Sequence, residues 1–191
     1  MTAPVIAACG PGDLDDVVEL VNLSYRGASA QAGWTHEHDW IAGPRTTRED
    51  LERELSASGD AVIFGQRDDG GVLRACVLLD LSRGGPERTG YIGMLTVRPD
   101  LQDAGLGRRM LAYAEDAARA RGARRARMTV LSIRDSLIAW YERRGYARTG
   151  ETQPFPYDDQ RFGAPRRADL EFIVLDKPLE PDDFRSIRSE I

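Results

Sequence analysis

The sequence predicts a single-domain α/β fold, with a mixed, mostly antiparallel twisted sheet of about seven strands flanked by about four helices. Three observations predict it. Short β-branched runs alternate with stretches of helical periodicity in the order β-α-α-β-β-β-α-β-α-β-β. Turn residues separate them, and the 191 residues, 41% of them hydrophobic, suffice for one sizeable core but not for two ordinary domains. The expected domain covers residues 1–178, with a frayed tail over 179–191.

Residues 5–8 form a first apolar run, which Gly10-Pro11-Gly12-Asp13 breaks while supplying helix-start chemistry. Leu14, Val17, Val18 and Val21 then recur at helical spacing up to a stop at Gly27. An irregular stretch, 28–45, precedes Thr47-Arg48-Glu49-Asp50, which has the form of a capping box for a helix carrying Leu51 and Leu55 on one face and closing at Gly59. Residues 61–66, 72–81 and 89–97 are β-rich and separated by turn residues, so an antiparallel meander is expected. Met110, Leu111, Ala114, Ala117 and Ala118 mark an amphipathic helix from Leu106 to Gly122. A strand over 126–131 follows. Asp135 is then expected to cap a short helix with Leu137, Ile138 and Tyr141 on one face and Gly145 just past its end. Strands from Tyr146 and over 170–175 enclose a second long irregular segment, 150–169. Its Phe155, Tyr157 and Phe162 argue against disorder.

Composition excludes several function classes. A formal net charge of −5 disfavours a nucleic-acid surface, and the Arg119, Arg121, Arg124, Arg125 and Arg127 cluster reads as favourable charge at a helix C-terminus. No apolar run approaches the roughly 20 residues of a membrane span, and Met1-Thr2-Ala3-Pro4 lacks a basic leader, so no membrane partner and a cytoplasmic location are expected. Cys9 and Cys76 lie in apolar runs and read as small core residues. His36-Glu37-His38-Asp39 holds the chain's two histidines, but an i, i+2 pair shares no helix face and has no second ligand cluster, so no metal is expected.

The chemistry concentrates between Gly93 and Leu111, where a strand passes through a Pro99 turn into Gly105 and Gly107, which open a helix. Glycines there admit a ligand close to the backbone. The unpaired N–H groups and positive end of the helix suit a diphosphate. A Walker loop would end in Gly-Lys-Ser/Thr, whereas this one ends Gly107-Arg108-Arg109; a dinucleotide fingerprint would need glycine where Met110 stands. What remains is Gln-x-x-Gly-x-Gly, formed by Gln102, Asp103, Ala104, Gly105, Leu106 and Gly107, with Trp140-Tyr141-Glu142-Arg143-Arg144-Gly145-Tyr146 downstream.

Those two motifs resemble the pyrophosphate loop and the aromatic-Tyr-Glu-x-x-Gly-aromatic signature of the GNAT superfamily of acyl-CoA-dependent N-acyltransferases. The resemblance implies a GNAT-like fold, acetyl-CoA as co-substrate, and an amine of a small molecule or peptide as acceptor. It implies that residues 102–108, ending at Arg108, hold the diphosphate, and that backbone at Leu95, Thr96 and Val97 stabilises the oxyanion and bonds the pantetheine arm. Tyr141, expected to turn its ring inward, would protonate the leaving thiolate.

Two positions depart from the family pattern. Where relatives carry a glutamate as general base, Tyr91 stands, leaving a water relay to Glu37, His36, His38 or Glu171 among the options. Where they often carry an asparagine that contacts the pantetheine arm, Arg134 stands, which could reach a phosphate or face solvent. By the same resemblance the two long irregular segments flank the acceptor. Trp34, Trp40, Phe155, Tyr157 and Phe162 could wall its pocket, and Arg26, Glu37 and Asp158 could choose its charge. The alternative reading is a non-catalytic acyl-CoA-binding or sensing module, which the missing glutamate favours and Tyr141 disfavours. A homodimer is compatible with the fold but nothing in the sequence dictates one.

Overall fold

The computed structural model describes residues 5–26, 37–82 and 88–179, apart from the side chains of 103 and 104. Thirteen elements follow in order: β1 (Ile6–Ala8), α1 (Leu14–Tyr25), β2 (Ile41–Ala42), α2 (Arg48–Ala57), β3 (Ala61–Arg67), β4 (Leu73–Asp80), β5 (Thr89–Val97), α3 (Leu106–Ala120), β6 (Arg125–Leu131), α4 (Asp135–Glu142), β7 (Ala147–Pro154), β8 (Ala164–Pro165) and β9 (Glu171–Pro178). Seven strands make one sheet in the order β1-β3-β4-β5-β6-β9-β7, and β2 pairs with β8 in a separate ribbon. Every pairing is antiparallel except β5 with β6.

Alternation along β4 divides the core. Ala75, Val77 and Leu79 face α3 and meet Met110, Leu111, Ala114 and Ala118, while Cys76 and Leu78 face α1 and meet Leu14, Val17 and Val21. Both faces of this strand are covered, which is why it reads as an almost unbroken apolar run. The apolar face of α3 also carries Glu115, buried yet satisfied by Lys177 Nζ at 2.7 Å and the Tyr146 hydroxyl at 3.0 Å. A third, smaller cluster of Ile41, Leu131, Phe155 and Leu170 fastens the two long irregular segments to the sheet.

Several local expectations change. The α2 helix is capped by Thr47, whose Oγ1 accepts from the Asp50 N–H at 3.1 Å, but it ends at Ala57 with Ser58 extended, so Gly59 is not its stop. Asp135 is the first residue of α4 and makes no capping hydrogen bond; Arg134 occupies the cap. Gly122 and Gly145, at φ of 86° and 88°, do end their helices, whereas Gly27 lies outside the described residues. The segment after Gly150 stays in β7 to Pro154 and later contributes β8. Leu179, the first residue of the expected tail, is buried and donates its N–H to the Arg124 carbonyl at 2.8 Å; residues 180–191 lie outside those described. Arg125 and Arg127 are not helix-end charges but clasp the buried Asp176 of β9.

Candidate active site

Geometry at the centre of the sheet follows from one extra residue. β4 and β5 pair as Leu78 with Gly93 and then Cys76 with Thr96, so β5 holds one more residue than its partner between these points, and Met94 there takes a φ of 49°. Pairing of β5 with β6 stops at Tyr91 with Arg127, so from Ile92 onward the edge of β5 toward β6 has no strand partner. Side chains of α1 hold the splayed end. The Tyr25 hydroxyl donates to the Leu95 carbonyl at 3.1 Å and the Ser24 hydroxyl to the Val97 carbonyl at 3.3 Å.

Two cavities meet at this opening. One, of about 490 Å³, is lined by Leu95, Val97, Gln102, Gly105, Gly107 and Arg108, together with Trp140, Tyr141, Arg143 and Arg144. Its floor is the start of α3. A 3₁₀ turn over Pro99–Ala104 leads into Gly105, left-handed at φ 71°, and no side chain caps the helix that follows. Its first N–H groups therefore remain available to an anion. A Cβ on Gly107 would come no nearer to its neighbours than 3.5 Å, so packing does not demand glycine there; the bare backbone instead opens the cavity. Arg108, Arg143 and Arg144 stand on the rim, none paired with a carboxylate among the described residues. Their mutual repulsion adds to burial in lowering the pKa of Arg144, whose guanidinium lies 3.5 Å over the Trp140 ring. Gln102 also donates to the Val97 carbonyl at 3.4 Å, tying the turn to β5.

Not every residue expected in this half lines it. Leu106 is a core residue at 3% exposure, and Thr96 is buried with its hydroxyl on the Met94 carbonyl at 3.0 Å. Asp103 and Ala104 belong to the turn, and their side chains lie outside the description. Sequence reasoning missed Trp140, Arg143 and Arg144 as lining residues, although all three sit inside the signature that pointed to Tyr141.

The second cavity, about 680 Å³, lies on the α1 and α2 side of the sheet and is lined by Glu37, Arg45, Asp80, Tyr91, Gly93 and Arg134, among others. A Cβ on Gly93 would come within 2.9 Å of the Tyr91 ring, so glycine there makes room for that ring. Tyr91 turns its hydroxyl to Thr129 Oγ1 at 3.0 Å, and Asp80 Oδ1 accepts from the hydroxyls of Ser58 and Ser82, both at 2.7 Å. Tyr25, Leu95, Leu137 and Tyr141 line both cavities. Tyr141 is buried, with its ring edge-on to Trp140 at 5.0 Å and Tyr146 at 5.7 Å. Burial first, then the neighbouring Tyr25, pushes its hydroxyl pKa well above the usual phenol range, so it is protonated throughout the neutral and mildly alkaline range.

Several expected acceptor residues lie elsewhere. Phe155 is buried in the third core cluster, stacked on Phe172, and the Tyr157 hydroxyl accepts from the Leu170 N–H at 2.7 Å. Neither lines either of these two cavities; Phe162 and Phe172 line the second. Trp34 and His36 lie outside the described residues. Glu37 is neither solvated nor available, because Arg26 Nη2 at 3.3 Å and Arg134 Nη1 at 3.1 Å engage its two oxygens. Arg134 is thus neither solvent-facing nor at the anion cradle. The long segments are joined to each other, Ile41 pairing with Pro165 and Ala42 with Ala164, while Arg26 Nη1 donates to the carbonyls of Ile41, Ala42 and Gly43. Such two-residue strands carry no periodicity that a sequence could display.

Among the described residues no helix is long and apolar enough to cross a membrane, and no group of three or more His, Cys, Asp or Glu is placed to hold a metal ion. No curated protein matches the chain at a significant level. Solved structures do. A phosphinothricin acetyltransferase from Sinorhizobium meliloti in complex with AcCoA aligns with a TM-score of 0.66 at 16% identity, over 96% of this chain and 92% of that one. The ribosomal-protein-S18-alanine N-acetyltransferase of Escherichia coli aligns at 0.65 and 17% identity, over 93% and 95%. A nourseothricin acetyltransferase aligns at 0.64 and 19%, over 94% and 100%. The profile of the Acetyltransferase (GNAT) family matches residues 15–146, a span that contains the bulged strand, the cradle and Tyr141, and the chain belongs to that family.

Proposed function

We propose that the protein transfers an acetyl group from acetyl-CoA to the amine of a small molecule or peptide by direct attack, with Tyr141 as the proton donor. The observation that carries this reading is that Tyr141 is buried, protonated and common to both cavities. A donor has a use there only if a leaving group forms at the junction.

The cradle residues fit an acyl-CoA. Uncapped N–H groups at the start of α3 and the arginines on the rim suit its phosphates, and the unpartnered edge of β5 suits its amide-bearing arm. Bound there, the co-substrate supplies an activated thioester. The chain's own contributions are three. Backbone N–H groups of the bulged segment would meet the carbonyl oxygen as negative charge develops on it. The second cavity would bring the amine against the same carbon. Tyr141 would deliver its proton to sulfur as the C–S bond breaks and the N–C bond forms, and the proton lost by the amine would pass to water, from which Tyr141 regains its own.

Free-thiol release from acetyl-CoA across a panel of amines and peptides tests the proposal, with acetylated product detected by mass. Thermal stabilisation by CoA without turnover on any acceptor would favour the binding module instead.

A further inference from the structure

We infer that the acceptor is an amino acid whose carboxylate rests against Arg45 and Arg134, a reading that depends on the acetyltransferase function proposed above. The supporting feature is an imbalance of buried charge in the wall of the second cavity. Glu37 faces three guanidinium groups, Arg134 at 3.1 Å, Arg26 at 3.3 Å and Arg45 at 3.9 Å. Arg26 is tied into the fold on both sides, Nη2 on Glu37 and Nη1 on the carbonyls of Ile41, Ala42 and Gly43, with only its Nε buried and unpartnered among the described residues. Arg134 and Arg45 are not. Arg134, with its side chain 5% exposed, spends Nη1 on Glu37 and leaves Nη2 buried without a hydrogen-bond partner. Arg45 reaches Glu37 only at long range and is 35% exposed. A buried donor without an acceptor is unfavourable, and one carboxylate does not neutralise three guanidinium groups.

Other cations lining this cavity are matched locally, Arg53 by Asp50 and Arg161 by Asp159. Around Glu37 alone, guanidinium groups outnumber the carboxylate three to one. That place is the mouth of the thioester side. Arg45 and Arg134 lie 5.7 and 5.8 Å from the centre of the Tyr25 ring, whose hydroxyl touches the Leu95 carbonyl at the bulge. Both guanidinium groups thus stand against a ring that lines both cavities, so one acceptor can present its carboxylate to them and its amine to the junction. The Arg45 backbone is fixed in advance, its N–H and that of Thr46 both donating to the Asn22 carboxamide oxygen. A planar carboxylate suits guanidinium groups.

The test compares free L-amino acids with their amides, as acceptors in thiol release and, N-acetylated, as ligands of the CoA-saturated protein in calorimetry. The expected result is at least one amino acid with kcat/KM about 100-fold above its amide, and a roughly 10-fold or larger rise in its KM in Arg45→Gln with kcat retained. Arg134→Gln should act alike. Should that buried change unfold the chain, Arg45→Gln alone decides. Amides equal to or better than the acids, or indifference of Arg45→Gln to the carboxylate, would overturn the inference while leaving the acetyltransferase intact. If no amine is turned over, the function fails, and calorimetry still decides the anion site: preference for the N-acetyl acid over its amide, lost in Arg45→Gln, supports it, and equal binding overturns it.

Discussion

Burial keeps the Tyr141 proton in place at neutral pH, so the hydroxyl is available as a hydrogen-bond and proton donor to a thiolate as it leaves a thioester. Tyr141→Phe keeps the ring contacts with Trp140 and Tyr146 and deletes only the hydroxyl, so stability should hardly change. Turnover should fall about 100-fold with acetyl-CoA affinity nearly intact, as for loss of a positioned acid. Steady-state rates and calorimetry on the same preparation check both halves; unchanged kcat would remove Tyr141 from the chemistry. The same physics silences the cysteines. Burial raises the Cys76 thiol to about 12 and the Cys9 thiol to about 11, so at pH 8 the thiolate fraction of either is about two orders of magnitude or more below that of an ordinary cysteine. The native protein should show no fast-reacting thiol toward a disulfide reagent and two after denaturation, which also leaves the background of a thiol-release assay low. Cys76 was legible as a core residue from its apolar neighbours, whereas Cys9 is only partly buried and packs at the margin of that core. Tyr25 and Arg45 were not legible as site residues, because Tyr25 acquires its role from Leu95, 70 residues away, and no local spacing encodes that meeting.

At the scale of elements, the strand-turn-helix from β5 into α3 was readable because its function rests on backbone. Glycine spacing, the Pro99 turn and helical periodicity are all local signals. Gly105→Glu attacks this unit twice, placing a side chain at φ 71° and a carboxylate beside Arg108 and Arg109 where an anion should bind. CoA affinity should fall 10-fold or more by calorimetry, a rough minimum for loss of one charge-assisted contact, and unchanged affinity would place the cradle elsewhere. The β2–β8 ribbon was invisible in the sequence, and its tightest point is Gly163. At φ 84°, any Cβ there would collide with the Ala42 carbonyl and come within 2.9 Å of Arg26 Nη1 and Ile41 Cγ2. Gly163→Ala should cost about 2 kcal/mol or more from left-handed strain and overlap. Denaturant unfolding measures the loss. Because Arg26 is displaced with the ribbon, acceptor KM should rise more than CoA affinity changes. Equal stability would mean the two segments are not joined as described.

Across the whole molecule, the sheet is weakest where the site is. Strand pairing between β5 and β6 covers three residue pairs, Thr89 with Arg125 through Tyr91 with Arg127, whereas β6 and β9 pair over seven positions. The cavity proposed for CoA spans that division, with Leu95, Val97 and Gly107 on one bank and Trp140, Tyr141 and Arg144 on the other. A ligand seated there replaces strand pairing that the fold leaves out, so its binding energy should appear as cohesion between the two halves. At a CoA concentration about 100-fold above its Kd, linkage contributes about 2.7 kcal/mol to stability, and for a chain of 191 residues each kcal/mol raises Tm by about 2–4 °C. The expected rise is therefore about 5–11 °C. Amide hydrogen exchange should slow chiefly at those N–H groups of residues 92–97 that face away from β4 and at the start of α3, where strand or helix partners are missing, and little in β3 or β4, which pair with each other over seven positions without ligand. Uniform protection over the whole sheet would indicate that the ligand binds outside the division, and no protection over 92–97 would mean that the open edge of β5 is not where the acyl-CoA lies.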